Sequence, residues 1–188
     1  MKRSSVFLLA YAALLFVCPL DAPARADTPL PPPRAKEVWS ANKRFCAAMD
    51  PKSMTTVVYR VAASGHRTKH WSMEGWFRVA HLADDGRHLV VGHDGGNLLP
   101  VNVKKDEPMI RFYDRGKLVR TVTLGDLFTN LSSLKRTASH LHWGSYLGFA
   151  PSDAKGRYSV KTVDGRTFAF DVADGKQVSV TQDKENPD

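Results

Sequence analysis

Three stretches of the chain share one pattern. Asn42-Lys-Arg-Phe-Cys-Ala-Ala48, Asp85-Gly-Arg-His-Leu-Val-Val91 and Lys155-Gly-Arg-Tyr-Ser-Val-Lys161 superpose as a turn pair, an arginine, a large ring and then small or β-branched residues. Asp85-Gly86 can supply the positive φ angles that a tight hairpin turn demands. Phe77 and Val79 before the turn, and Leu89 and Val91 after it, are apolar at a spacing of two, so residues 76–92 read as strand, turn, strand. The recurrence predicts three diverged copies of one β unit. No catalytic signature of similar clarity accompanies it.

The first residues carry an address. Lys2 and Arg3 precede an apolar run over residues 6–17, and Ala24 and Ala26 are small where a signal peptidase reads, which predicts a signal peptide over residues 1–26. The run is roughly twelve residues, short of the ~20 that cross a bilayer, and Pro19, Asp21 and Pro23 follow it. No transmembrane segment is expected in the mature chain, and Val17 and Phe16 before Cys18 do not suit a lipid anchor. Cleavage would leave about 160 residues, enough for one domain with its own core. A single cysteine, Cys46, would remain, so packing rather than a disulfide must hold the domain, and Cys46 reads as a small core residue.

The formal net charge of the whole chain is +8. Such a field favours anionic surfaces, so an anionic polysaccharide or an envelope protein is the expected kind of partner, with solubility the simplest reason for the charge. Lys104-Lys105 and Lys135-Arg136 are adjacent pairs, but no stripe of cations interleaved with aromatics marks a nucleic-acid surface.

Residues 27–35 hold Pro29, Pro31, Pro32 and Pro33 and read as an extended tether. The β-domain is expected over 36–181, with a charged, disordered tail over 182–188. Residues 36–49 fit a helical face as well as a strand; Asp50-Pro51 and the β-branched run 55–61 favour strand. Residues 62–69 read as a loop. The connection 93–108 is long, turn-rich and charged, the kind of loop that carries binding residues. Residues 109–113 and 117–124 pair through Asp114-Arg115-Gly116. Leu127, Phe128, Leu131 and Leu134 predict a helix over 125–134. Strands at 157–163, 166–172 and 177–181 follow, joined by Asp164-Gly165 and Asp174-Gly175.

Arg44 and Arg87 are 43 residues apart, within the roughly 40 to 50 of a propeller blade. Asp84-Asp-Gly-Arg87 with Tyr113-Asp-Arg-Gly116, and Lys155-Gly-Arg157 with Phe170-Asp-Val-Ala-Asp-Gly175, resemble the blades of secreted bacterial β-propellers, in which a strand, an Asp-Gly-Arg turn, a strand and a hairpin ending in Asp-x-Gly recur. The resemblance implies an all-β fold and no activity. The expected architecture is a single antiparallel β-domain of about three blade-like repeats, sandwich-like or an incomplete propeller, with one short helix. Three units fall short of the four to eight that close a ring, and open sheet edges invite aggregation. Either one chain folds alone or two chains complete a ring; a monomer is expected, with the helix over 125–134 covering an edge or an open end.

Three groups of residues are candidates for chemistry. His140 and His142 lie on one side of a strand at a spacing that lets two imidazoles share a divalent metal. A third ligand would come from His93, Asp94, His81 or Asp84, whereas Thr137, Ser139 and Trp143 suit a structural strand entry. His93-Asp94 beside Gly95, Gly96 and Asn97 suggests a dyad or an anion-cradling loop, with ordinary turn chemistry the plainer alternative. Trp71, Trp76 and Trp143 flank turns, where indoles form either core or a platform for sugar or peptide. The leading expectation is a non-enzymatic exported binding or scaffold module, with Trp71, Trp76, His93, Asp94 and Asn97 as its contact region. Its rivals are a small metal-dependent hydrolase built on His140 and His142 and an accessory subunit of an envelope complex.

Overall fold

The structure is a computed structural model that describes residues 30–150 and 156–183. The signal peptide expected over 1–26, the corner residue Lys155 and the end of the tail lie outside the described residues. The chain order is β1 (Lys36–Trp39), β2 (Phe45–Asp50), β3 (Thr55–Val61), β4 (Arg67–Glu74), β5 (Ala80–Leu82), β6 (His88–Gly92), β7 (Leu98–Leu99), β8 (Pro108–Asp114), β9 (Lys117–Thr123), α1 (Leu124–Leu127), β10 (Lys135–Arg136), β11 (Leu141–His142), β12 (Gly144–Phe149), β13 (Arg157–Thr162), β14 (Arg166–Asp171) and β15 (Gln177–Gln182). Every pairing is antiparallel. Among the described residues three four-stranded sheets follow one another along the chain, β1-β2-β3-β4, β5-β6-β8-β9 and β12-β13-β14-β15, and a small β10-β11-β7 sheet takes β7 from within the second and β10 and β11 from between the second and third.

The first two of the repeated motifs are corners between the first and second strand of a sheet, and the described part of the third, Gly156 and the residues after it, leads along β13, the second strand of its sheet. Ser40 and Phe45 close the first, Ala83 and His88 the second, each by a backbone bond across the corner and an inner bond three residues on. The residue before the arginine has positive φ in all three: Lys43 at 59°, Gly86 at 65° and Gly156 at 64°. Asn42 Oδ1 accepts from Arg44 N, and Asp85 Oδ1 accepts from Arg87 N, so an Asx-type bond fixes both turns the same way. For the first two copies, the repeat in the sequence is a repeat in space.

The sheets pack in chain order, and the middle one is covered on both faces. Leu89 and Val91 face Phe45, Ala47, Met49, Val58 and Trp71 of the first sheet. Val90, with Ile110, Phe112 and Val122, faces Tyr158, Val160, Phe168 and Phe170 of the third. Alternation sends successive side chains of β6 to opposite faces, and here both faces are dry, so all five of its residues are buried. Fully burying each Leu or Val contributes about 1.5–3 kcal/mol.

The helix expected over 125–134 is much shorter. Thr123 and Asp126 form a capping box that starts α1, but Phe128 is already extended and Asn130 caps a separate 3-10 turn, Leu131–Ser133, by accepting from Ser132 N. Asn130 offers the backbone an alternative to helix, and the extended backbone at Phe128 goes with a fully buried ring. Leu124, Leu127, Phe128 and Leu134 fill the core between the second and third sheets. The connection 93–108 contains β7, which pairs with β11. Residues 36–49 form two strands about the first corner rather than one, β4 begins at Arg67 inside the expected loop, and Gln182, assigned to the tail, pairs with Arg166. No helix among the described residues is long and apolar enough to cross a membrane.

Candidate ligand-binding site

Trp76 follows β4 by way of Gly75, whose N–H donates to Met54 O at 2.7 Å and whose carbonyl accepts from Thr56 Oγ1 at 2.7 Å. These bonds tie Trp76 to the β2–β3 turn. The extended segment 30–35 crosses beside it: Trp76 Nε1 donates to Arg34 O and Arg78 Nη1 to Pro31 O, both at 2.8 Å. Prolines have no N–H to offer a ladder, so their carbonyls are what a neighbour can hold. Lys36 Nζ donates to Arg78 O at 2.6 Å. Burial, and then the charge of Arg78, hold the Lys36 ammonium below its ordinary pKa. Lys36 and Arg78 both lie 5.4 Å from the indole centroid, a cation–π arrangement.

Leu30, Pro33, Met54, Trp76, Arg78 and Asp94, with Pro51 and Gly95, line a groove of about 450 Å³. Leu30 is 49 % and Met54 54 % exposed, so its apolar walls are open to solvent. Of the residues singled out from the sequence, this groove unites Trp76 with Asp94. It does not include Trp71, whose ring is in the core between the first two sheets and whose Nε1 donates to Gly86 O at 2.8 Å.

His93 and Asp94 do not act as a pair. His93 N donates to Tyr146 Oη at 2.7 Å, and Tyr146 Oη donates to Met109 O at 3.3 Å. His93 Nδ1 accepts from Gly95 N at 3.0 Å, so the neutral ring carries its proton on Nε2, which lies 3.3 Å from Glu107. Glu107 is thus the acidic partner of His93, and Asp94 remains exposed at the groove. A Cβ at Gly95 would overlap the Leu98 carbonyl and the His93 ring. Asn97 O accepts from Trp143 N at 3.2 Å, and Gly96 O from Trp143 Nε1 at 2.9 Å, which clamps the loop to a fully buried indole.

His140 Nδ1 is 2.8 Å from Ser139 Oγ, and His140 N donates to Thr137 Oγ1 at 3.1 Å. His142 lies in β11, opposite Lys135 and Leu98. Among the described residues no group of three or more His, Cys, Asp or Glu side chains is placed to share a metal ion. His81 joins a different cluster: its Nδ1 is 2.8 Å from Tyr158 Oη, with the Tyr158 and Tyr146 rings 5.4 and 6.4 Å away. Burial, and then the charge of Lys36, lower the His81 pKa. Burial raises both phenols well above their ordinary values. Both groups are thereby held neutral, and one hydrogen bond joins them. Arg78, Met54 and Leu30 carry no sequence motif; the groove they help form depends on contacts between distant segments.

Taken together, fold and site define an all-β chain of successive four-stranded meanders with an open groove beside one indole. No family model matches the sequence, and comparison with curated proteins gives no match. Among solved structures, the periplasmic gluconolactonase of Pseudomonas aeruginosa is similar over 78 % of this chain, with 16 % identity and a TM-score of 0.39. The likeness extends over 38 % of the length of that protein.

Proposed function

We propose that this protein is an exported, non-enzymatic binding module of the bacterial envelope, and that its contact region is the groove around Trp76. One observation carries this reading: Trp76 and Asp94, from segments apart in sequence, line one open apolar groove with Leu30, Met54 and Arg78. Apolar walls with a few placed polar groups are the usual composition of a ligand site. The ligand is an extended peptide segment of an envelope protein rather than a sugar. Lys36 and Arg78, each 5.4 Å from the indole centroid, compete with a sugar for the ring. Trp76 and Arg78 already hold two carbonyls of the chain's own proline-rich segment, the kind of contact an extended ligand offers. Export rests on the amino-terminal pattern of Lys2, Arg3 and the apolar run after them.

The test is a titration of the purified protein with a synthetic leucine- and proline-rich peptide, followed by two-dimensional NMR of the indole and backbone N–H groups. Shifts confined to Trp76, Asp94 and Gly95, and lost in Trp76→Ala, support the reading. Shifts elsewhere, or none at millimolar peptide, contradict it.

A further inference from the structure

The first corner departs from the second in its charges. In the middle sheet Arg87 holds Asp114 by two bonds, Nε and Nη2 each 2.5 Å from a carboxylate oxygen. Asp114 stands opposite His88 in the register of β6 and β8. In the first sheet Arg44 is the equivalent of Arg87 and Phe45 of His88, and the residue opposite Phe45 on β3 is Arg60. An arginine thus occupies the position that holds the carboxylate in the middle sheet. The internal ion pair of one repeat becomes a pair of cations in another.

Lys43 adds a third cation, held at φ 59° where the other two corners have glycine, a region that disfavours any residue with a Cβ. Lys43, Arg44, Arg60 and His66, with Asn42 and Thr68, line an open groove of about 820 Å³ at the end of the first sheet where β2 begins and β3 turns into β4. Among the described residues no carboxylate pairs with Lys43, Arg44 or Arg60. The Asp84 carboxylate accepts from Asn42 N and is not one of the walls.

We propose that this groove binds a linear acidic polysaccharide, with a carboxylate or sulfate of the ligand taking, between Arg44 and Arg60, the place that Asp114 has beside Arg87. Guanidinium groups match such planar or branched oxyanions with paired N–H donors. A single-stranded nucleic acid would want aromatic rings on which to stack its bases, and apart from the His66 imidazole the walls contain none. This site is separate from the Trp76 groove and stands without it.

The experiment is calorimetric titration of the purified protein with polygalacturonate and with dextran sulfate, against neutral dextran. Arg60→Asp restores the carboxylate of the middle sheet and is expected to weaken binding at least about tenfold and to lower the dependence of log K on log salt by about two. The charge-matched Lys104→Ala/Lys117→Ala variant, away from the groove, is expected to change affinity less than about threefold, as remote screened charges do. A thermal melt confirms that each variant is folded; if Arg60→Asp is not, Arg60→Gln carries the test with an expected loss of about fivefold. Equal losses in the groove and control variants would reduce the effect to net charge and overturn the site. So would unchanged affinity in the Arg60 variants, or neutral dextran bound as well as the acidic polymers. Tighter binding of an oligothymidylate of matched charge would overturn the ligand class.

Discussion

Tyr158 Oη and His81 Nδ1 share a hydrogen bond of 2.8 Å that joins β13 of the third sheet to β5 of the middle sheet. Burial, and then the charge of Lys36, favour the neutral form of His81. The folded-state pKa lies below the ordinary value of 6.5, so the unfolded chain binds the extra proton first. Stability should be complete above pH 6.5 and should fall as pH drops from there toward the folded-state value. Urea denaturation at pH 8 and pH 5.5 checks this: the midpoint is expected to drop in the native protein and to drop much less in His81→Phe. Tyr158→Phe removes this partner of the half-buried His81 ring and should cost about 0.5–1.5 kcal/mol at pH 8.

The corners predict opposite responses to reciprocal substitutions. Gly86 has φ 65°, and a Cβ there would run into the Phe45 ring. Gly86→Ala should destabilise the fold by about 2–3 kcal/mol. Lys43 holds the equivalent conformation with a side chain, so Lys43→Gly should be neutral or stabilising by up to about 1 kcal/mol. Chemical denaturation of the two variants beside the native protein reads both signs.

Cys46 is fully buried on β2. Burial, reinforced by the Glu37 charge, pushes its thiol up to about 11. Thiolate, the reactive form, is therefore scarce at neutral pH. A maleimide reagent should leave Cys46 unlabelled in native buffer and label it promptly in denaturant; rapid native labelling would show that the first sheet opens.

The fold was legible where local chemistry decides it. The turn pairs at 42, 85 and 164 and the β-branched run 55–61 need only their own residues to be read as corners and strands. Leu127, Phe128, Leu131 and Leu134 have the spacing of one helix over 125–134, yet Leu127 ends α1, Leu131 begins a separate 3-10 turn, and Phe128 and Leu134 meet the core from extended backbone that only the neighbouring sheets require. The Trp76 groove was half legible: a tryptophan beside glycine and an acidic, glycine-rich loop both attract notice, whereas Leu30, Met54 and Arg78 acquire meaning only once residues 30–35 lie against Trp76. Trp71 and Trp76 carry the same sequence signal, but Trp71 lies within β4 opposite Val58 and packs in the core, whereas Trp76 follows the end of β4 and lies at the groove. Lys43-Arg44 was masked by its own turn, since the residues that identify the corner are also the cations of the basic groove.

Both grooves are positioned by one scaffold, a middle sheet held between two others, and native-state hydrogen exchange tests that scaffold most directly. Leu89, Val90 and Val91 lie between β5 and β8 and are buried on both faces, so their amides should exchange only through global unfolding. Amides of β15, an edge strand exposed along its whole length, should exchange far faster. Amides of β6 that exchange as quickly as those of β15 would contradict the stacked arrangement and both sites built on it.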